Sequence, residues 1–214
     1  MCPTAVTEAS RQALDNLRDA SHLHWYVVPL LAIALYVYAV EIERRNWNAV
    51  FAGLAFWAMD WLNEIANSLV LHATNRSALW TAPGDTAYLI LVGLNIEICF
   101  MFSIAGIIFA KLLPADRSLR TLGIPTRLLI ALSMSIFAVI VEVFLNRADA
   151  LIWEYPFWSV PHVWLIVPFG YLHFHLVAWW VHDMDDPRRQ ARTVGALWGV
   201  VVVCLAVFGA LGMI

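Results

Sequence analysis

Four carboxylates fall inside stretches apolar enough to span a membrane: Asp60, Glu64, Glu97 and Glu142. An acid at membrane depth costs about 2.5–3.5 kcal/mol at a helix centre on insertion scales, so it persists where it is paired, protonated or used. Asn63, Asn67, Asn95, Asn146, His173 and His175 lie on the same stretches. An interhelical hydrogen bond returns only about 0.6 kcal/mol on average, too little to account for four acids. Together these residues predict a polar chamber inside a helical bundle, and the chemistry open to them is proton transfer. A carboxylic acid kept from water holds its proton and can give it to a poor acceptor such as an alkene or epoxide. Aromatic faces stabilise the resulting carbocation by about 2 kcal/mol or more when desolvated, and a second carboxylate or a histidine can take a proton away. Glu64, Glu97, Asp60, Glu142 and His173 are therefore the catalytic candidates. Trp57, Trp61, Trp153, Tyr155, Trp158, Tyr171 and Trp179 are candidate substrate walls, with Asn67, Asn95, Asn146 and His175 as further lining.

The elements that position these side chains follow from composition. The chain has 214 residues, 62% of them hydrophobic and 14% charged, against about 25% charged in a soluble domain. This predicts an all-α, polytopic membrane bundle forming one domain over 24–214, after an N-terminal segment 1–23 that is interfacial or disordered. A span needs about 20 apolar residues, and six stretches qualify: roughly 24–42, 48–71, 86–112, 124–146, 161–182 and 193–213. Arg44, Arg45, Lys111, Arg117, Arg120, Arg188, Arg189 and Arg192 fall in alternate loops, which the positive-inside rule places in the cytoplasm. Asp60, Glu64 and Asn67 are spaced i, i+4 and i+7 and share a helix face. Counted from Thr86, Asn95 and Glu97 reach the same depth on the next span. Glu142 and Asn146 sit one turn apart near an outer end, beneath an aromatic loop from Leu151 to Trp158. The first twenty residues are polar and amphipathic, unlike a cleavable signal peptide.

Other chemistries find little support. A net charge of −3 and the lack of a basic stripe argue against nucleic acid. Cys2, Cys99 and Cys204 are far apart and form no CxxC pair. There is no glycine-rich phosphate loop and no nucleophile elbow. His173 and His175 point about 200° apart on a helix. The pattern calls for no cofactor and no metal, although a mononuclear set of His173 with Glu64 and Glu97 is the arrangement an alternative, metal-dependent lipid oxidoreductase would use. Intramembrane acids and histidines also suit a second alternative, a proton-coupled transporter. No repeat is visible between the second and fifth spans.

Residues 48–183 resemble, in layout, the emopamil-binding-protein family of sterol isomerases. The resemblance rests on Glu64 in Asn63-Glu64-Ile65, Glu97 in Asn95-Ile96-Glu97, and His173 or His175 on a late span. The chain is also similar to small membrane-bound terpene cyclases of meroterpenoid pathways, through a glutamate on the second span in the tryptophan-rich run Trp57 to Glu64 and a late aspartate, Asp183. Both resemblances imply an enzyme that protonates a membrane-dissolved isoprenoid or sterol-like lipid and then deprotonates the carbocation, by cyclisation or double-bond isomerisation. The partners implied are that substrate and the bilayer, of a bacterial inner membrane or the endoplasmic reticulum. The sequence leaves a homodimer open.

Overall fold

The computed structural model describes residues 6–214; Cys2 and the first five positions of the N-terminal segment lie outside the described residues. The architecture is a helical bundle closed at one end by short β-ribbons. In chain order the α-helices are α1 (Glu8–Asp15), α2 (Val27–Glu43), α3 (Trp47–Thr74), α4 (Ile96–Leu112), α5 (Thr126–Arg147), α6 (Val163–Ile166), α7 (His173–His182) and α8 (Pro187–Ala210). A π-helical turn, Val167–Leu172, joins α6 to α7 in one rod. Among the described residues, three helical stretches are long and apolar enough to cross a membrane: Thr126–Arg147, Val160–His182 and Pro187–Ala210.

Helix α3 is the axle of the bundle. Asn46 caps its start by accepting from the Ala49 N–H, and Asn75, in the left-handed region, ends it. Its run of small residues, Ala49, Ala52, Gly53, Ala55 and Ala58, lets neighbours approach closely. At the tightest crossing a Cβ on Gly106 of α4 would stand 2.8 Å from the Gly53 carbonyl oxygen, so the α3–α4 contact requires glycine there. Phe56, Phe102, Phe109 and Phe174 fill the core on that side. On the other, Trp198 of α8 seats against α3, its indole N–H donating to the Leu54 carbonyl.

One end of the bundle carries a cap. Strand β1 (Trp80–Thr81) pairs antiparallel with β6 (Ile152–Trp153), placing Trp80 opposite Trp153. Strands β2 (Leu89–Leu91) and β3 (Leu94–Asn95) form a hairpin directly before α4. This corrects the expected span 86–112: its first ten residues are loop and hairpin, and the helix begins at Ile96. Leu89, Leu91 and Leu94 are buried, so their apolar run reads like a span although it is a buried ribbon. Asn95 is the α4 N-cap, accepting from the Ile98 N–H at 2.8 Å. Helix α1 docks on this cap, burying Ala13 among Leu71, Ala78, Ala82 and Val92.

The opposite end is held by charge. The buried Glu41 accepts from Lys111 at 2.6 Å and from Asn46 at 2.7 Å. Arg127, at the start of α5, donates to Asp183 and to the Pro114 carbonyl. Here too a short hairpin, β4 (Arg120–Thr121) with β5 (Ile124–Pro125), precedes its helix. The two hairpin–helix units sit at opposite ends, with Gly93 and Glu97 in one matched by Gly123 and Arg127 in the other.

Candidate active site

Helix α3 delivers two of the acids. Asp60 and Glu64, one turn apart, point the same way and are 2% and 5% exposed. Glu142 arrives from α5, also 5% exposed. The three line one small cavity of about 50 Å³, with Asn63, Trp80, Gly93, Phe102, Trp158, Tyr171 and Phe174 around it. A space of that size holds a water or two.

Each glutamate is aimed by a tryptophan from the cap. The Trp80 indole N–H donates to Glu64 Oε1 at 2.9 Å, and the Trp153 indole N–H donates to Glu142 Oε1 at 3.2 Å. Because Trp80 and Trp153 are register partners in the β1–β6 ribbon, one ribbon sets both carboxylates. Trp158 stacks on Trp80, centroids 5.5 Å apart. Gly93, in the turn of the β2–β3 hairpin, presses against the same pair: a Cβ there would lie 2.5 Å from Trp80 Nε1 and 2.6 Å from Glu64 Oε2. The π-helical turn puts Tyr171 into the cavity beside Glu142, a placement typical of π-bulges at sites that need one side chain re-aimed. Asp60 Oδ2, Glu64 Oε2 and Glu142 Oε2 are buried without a hydrogen-bond partner. Buried polar atoms in proteins are nearly always satisfied, and the cavity beside these three oxygens has room for the water or polar group that would do it.

The cavity adjoins a second, larger space. An apolar cleft of about 500 Å³ runs between α2, α4 and α5, lined by Ile33, Ile104, Ile108, Met134, Phe137 and others. Met101, Phe102, Glu142, Leu145 and Tyr171 line both spaces. The cleft is open along the flank of the bundle, where Phe137, Ile33 and Ile108 are 60%, 51% and 47% exposed.

The other expected site residues divide. Tyr171 and Trp158 line the acid cavity, and Trp153 reaches Glu142 from the cap without lining it. Glu97 is not with the acids: in the first turn of α4 its carboxylate accepts from Tyr26 Oη at 2.5 Å, Thr86 Oγ1 at 2.6 Å and the Ala87 N–H at 2.9 Å. It ties the loop before the hairpin to α2 and α4, and reaches only the rim of the cleft. His173 turns away, its Nδ1 facing the Pro168 carbonyl. His175 is the histidine that faces inward, lining the cleft with Nδ1 3.0 Å from Ser135 Oγ. The set of His173, Glu64 and Glu97 is thus not brought together, and among the described residues no three His, Cys, Asp or Glu side chains are placed to share a metal ion.

Trp57 and Trp61 pack on Trp198 of α8, centroids 4.9 and 6.4 Å away, and not into the cavity. Asn67 braces the cap, donating to the Trp80 carbonyl at 2.7 Å and accepting from the Leu79 N–H at 2.8 Å. Asn146 donates to the Leu151 carbonyl, and Asn95 is a helix cap. Tyr155 donates to the Ser77 carbonyl near the surface. Trp179 donates to Asp183 at 2.7 Å at the far, charged end. Sequence reasoning missed Trp80 and Gly93. Both lie in what reads as a loop, where no period marks them, and the only signal was the Val92-Gly93 turn.

Comparison with known proteins finds relatives but no described activity. The model of a family described as an uncharacterized membrane protein family matches residues 7–210. An uncharacterized protein of Archaeoglobus fulgidus is 51% identical over 205 residues, covering 96% of this chain and 97% of its own length. A shorter uncharacterized protein of the same organism is 47% identical over 45 residues, 21% of this chain and 80% of its own length. No solved structure matches.

Proposed function

The chain belongs to that membrane protein family, and from this premise we propose a membrane enzyme that carries out acid-initiated carbocation chemistry on an isoprenoid or sterol-like lipid. In this reading α2, α3 and α4 cross the bilayer beside the three long apolar helices, giving six spans. The 17 residues of α2 and of α4 rise about 26 Å each, close to the roughly 30 Å hydrocarbon core. The arginine-rich loops around Arg44, Arg117 and Arg188 then face the cytoplasm by the positive-inside rule, and the cap faces outward.

The observation that carries the proposal is the junction of the two spaces. Three carboxyl oxygens without a protein partner belong to acids lining a small cavity, and one of those acids, Glu142, also lines the apolar cleft that opens on the flank of the bundle. A lipid double bond entering from the bilayer meets Asp60, Glu64 and Glu142 with aromatic faces on several sides. A proton passes from the Asp60–Glu64 pair to one alkene carbon, and the π electrons form the new C–H bond. The adjacent carbon carries the charge, next to Trp80, Trp158, Phe102 and Phe174. Glu142 then takes a proton from a neighbouring carbon, and that C–H pair becomes the new double bond. If a second alkene attacks the cation first, the product is a ring. Glu142 then gives its proton to water and the Asp60–Glu64 pair takes one back from water, so the protein is restored. The resemblance to sterol isomerases and membrane terpene cyclases agrees with this sequence of steps, with Glu142 standing where Glu97 was expected.

The test is mass spectrometry of lipids that co-purify with the protein and with its Glu64→Gln variant, with metal analysis on the same samples. The expected result is an isoprenoid or sterol isomer of unchanged composition from the wild type, its precursor from the variant, and no stoichiometric transition metal. A bound transition metal with an oxidised lipid would overturn the proposal. One observation favours a second reading. Acids buried among the helices also suit a proton relay, and proton-coupled flux in proteoliposomes would establish it.

A further inference from the structure

The site's charge and the shape of the cleft select among the lipids that the proposed reaction admits. Among the described residues, no Lys or Arg lines either the acid cavity or the cleft. Asp60, Glu64 and Glu142 line the cavity and Glu97 the rim of the cleft, all of one sign. Of the basic side chains on the helices around the cleft, Lys111 is committed to Glu41 and Arg127 to Asp183 at the opposite end, and Arg147 ends α5 at the capped end outside both linings. A diphosphate or phospholipid headgroup needs cations, a metal or a helix N-terminus to offset its charge. The N-terminus of α4 already holds the Glu97 carboxylate, and that of α2 opens beside the same carboxylate through Tyr26. The cleft follows α4 from Glu97 to Ile108, eleven residues and so about 16 Å of axial rise, and Glu142 joins it to the acid cavity.

We propose that the cleft binds an uncharged linear isoprenoid, with its reacting end at Asp60, Glu64 and Glu142 and its tail laid along α4 and α5 past Ala105, Ile108 and Ala138. This rests on the carbocation reading and adds the ligand's charge and direction. An isoprenoid diphosphate is excluded because its headgroup would face three acidic side chains and no cation in the lining. A phospholipid fits the apolar walls but gains nothing at the acids.

The experiment measures binding without turnover. The purified protein in detergent is titrated with geranylgeraniol and, separately, with geranylgeranyl diphosphate, and bound ligand is read by native mass spectrometry. The alcohol is expected to bind at least tenfold tighter. Ala138→Trp and Ala105→Trp, which fill the open cleft one turn inward of the acids, are expected to weaken that binding at least tenfold. A shorter prenol that ends before the block should still bind. Equal or tighter binding of the diphosphate overturns the proposal, as does loss of the prenol to competing phospholipid. Because the readout is binding, the two readings fail separately. Tight prenol binding with a fully active Glu64→Gln protein removes the acid mechanism and leaves this assignment. Turnover of a diphosphate does the reverse.

Discussion

Replacing Gly93 by alanine puts a single methyl group between the two residues that define the site. Its Cβ would stand 2.5 Å from Trp80 Nε1 and 2.6 Å from Glu64 Oε2. Restoring ordinary contact at about 3.5 Å requires the indole or the carboxylate to move by about 1 Å. Neither yields easily. Trp80 is stacked on Trp158 and its backbone is held by Asn67, while Glu64 rides on the central helix. Overpacking of this kind costs about 1–3 kcal/mol, and a displacement of about 1 Å in a reacting group costs about a hundredfold in rate. Thermal unfolding in detergent should show that loss of stability, and product formation by mass spectrometry should fall about a hundredfold. Gly123 is the control. It has φ +77° and no atom within 4 Å of an added Cβ, so alanine there meets only backbone strain of about 1–2 kcal/mol, with turnover unchanged. A Gly93→Ala protein that matches wild type in both stability and turnover would refute the packing argument and the role of the Trp80–Glu64 pair.

Three more outcomes follow from the geometry. Asn67→Ala strands the buried Leu79 N–H and Trp80 carbonyl, at about 1–3 kcal/mol for each unsatisfied group; denaturant unfolding should show the loss, and turnover should fall as Trp80 shifts. Arg127→Met removes the buried partner of Asp183 and should cost about 3–5 kcal/mol, less if His182, Trp179 and Arg117 keep the carboxylate satisfied; a double-mutant cycle with Asp183→Asn measures the coupling. Asp183 also makes stability depend on pH. Burial pushes its carboxyl up, but hydrogen bonds from His182, Arg127 and Trp179 outweigh this and hold it below its ordinary 3.8. Its contribution is therefore complete above pH 3.8 and is lost as the pH falls through the lower folded value, so acid unfolding followed by tryptophan fluorescence should show a component that Asp183→Asn lacks.

The helices around the site were legible because long apolar runs end at arginines and asparagines, as at Arg44-Arg45-Asn46. The start of α4 was not. A buried hairpin such as Leu89 to Asn95 is as apolar as a span, and periodicity cannot separate the two. That one displacement also misplaced Glu97, whose depth had been counted along a helix beginning at Thr86. The Asp60–Glu64 stripe followed from i, i+4 spacing alone. The same geometry turns Trp61, one residue past Asp60, about 100° away from it, which is why Trp57 and Trp61 meet α8. Of His173 and His175 only one could face inward, and the neighbours that decide it, Phe56, Phe109 and Ser135, come from three other helices. Trp80 reaches Glu64 through a ribbon whose strands lie about seventy residues apart in the chain, a long-range pairing that local sequence does not announce.

The most direct test of the acid mechanism is to incubate the purified protein with a neutral polyene isoprenoid in D2O and follow the product by mass spectrometry and NMR. The account expects an isomer or a ring of unchanged skeleton formula carrying one deuterium at the protonated carbon, abolished in both Glu64→Gln and Glu142→Gln while the folded protein persists. Product formed without deuterium, or formed equally by the two variants, would contradict it.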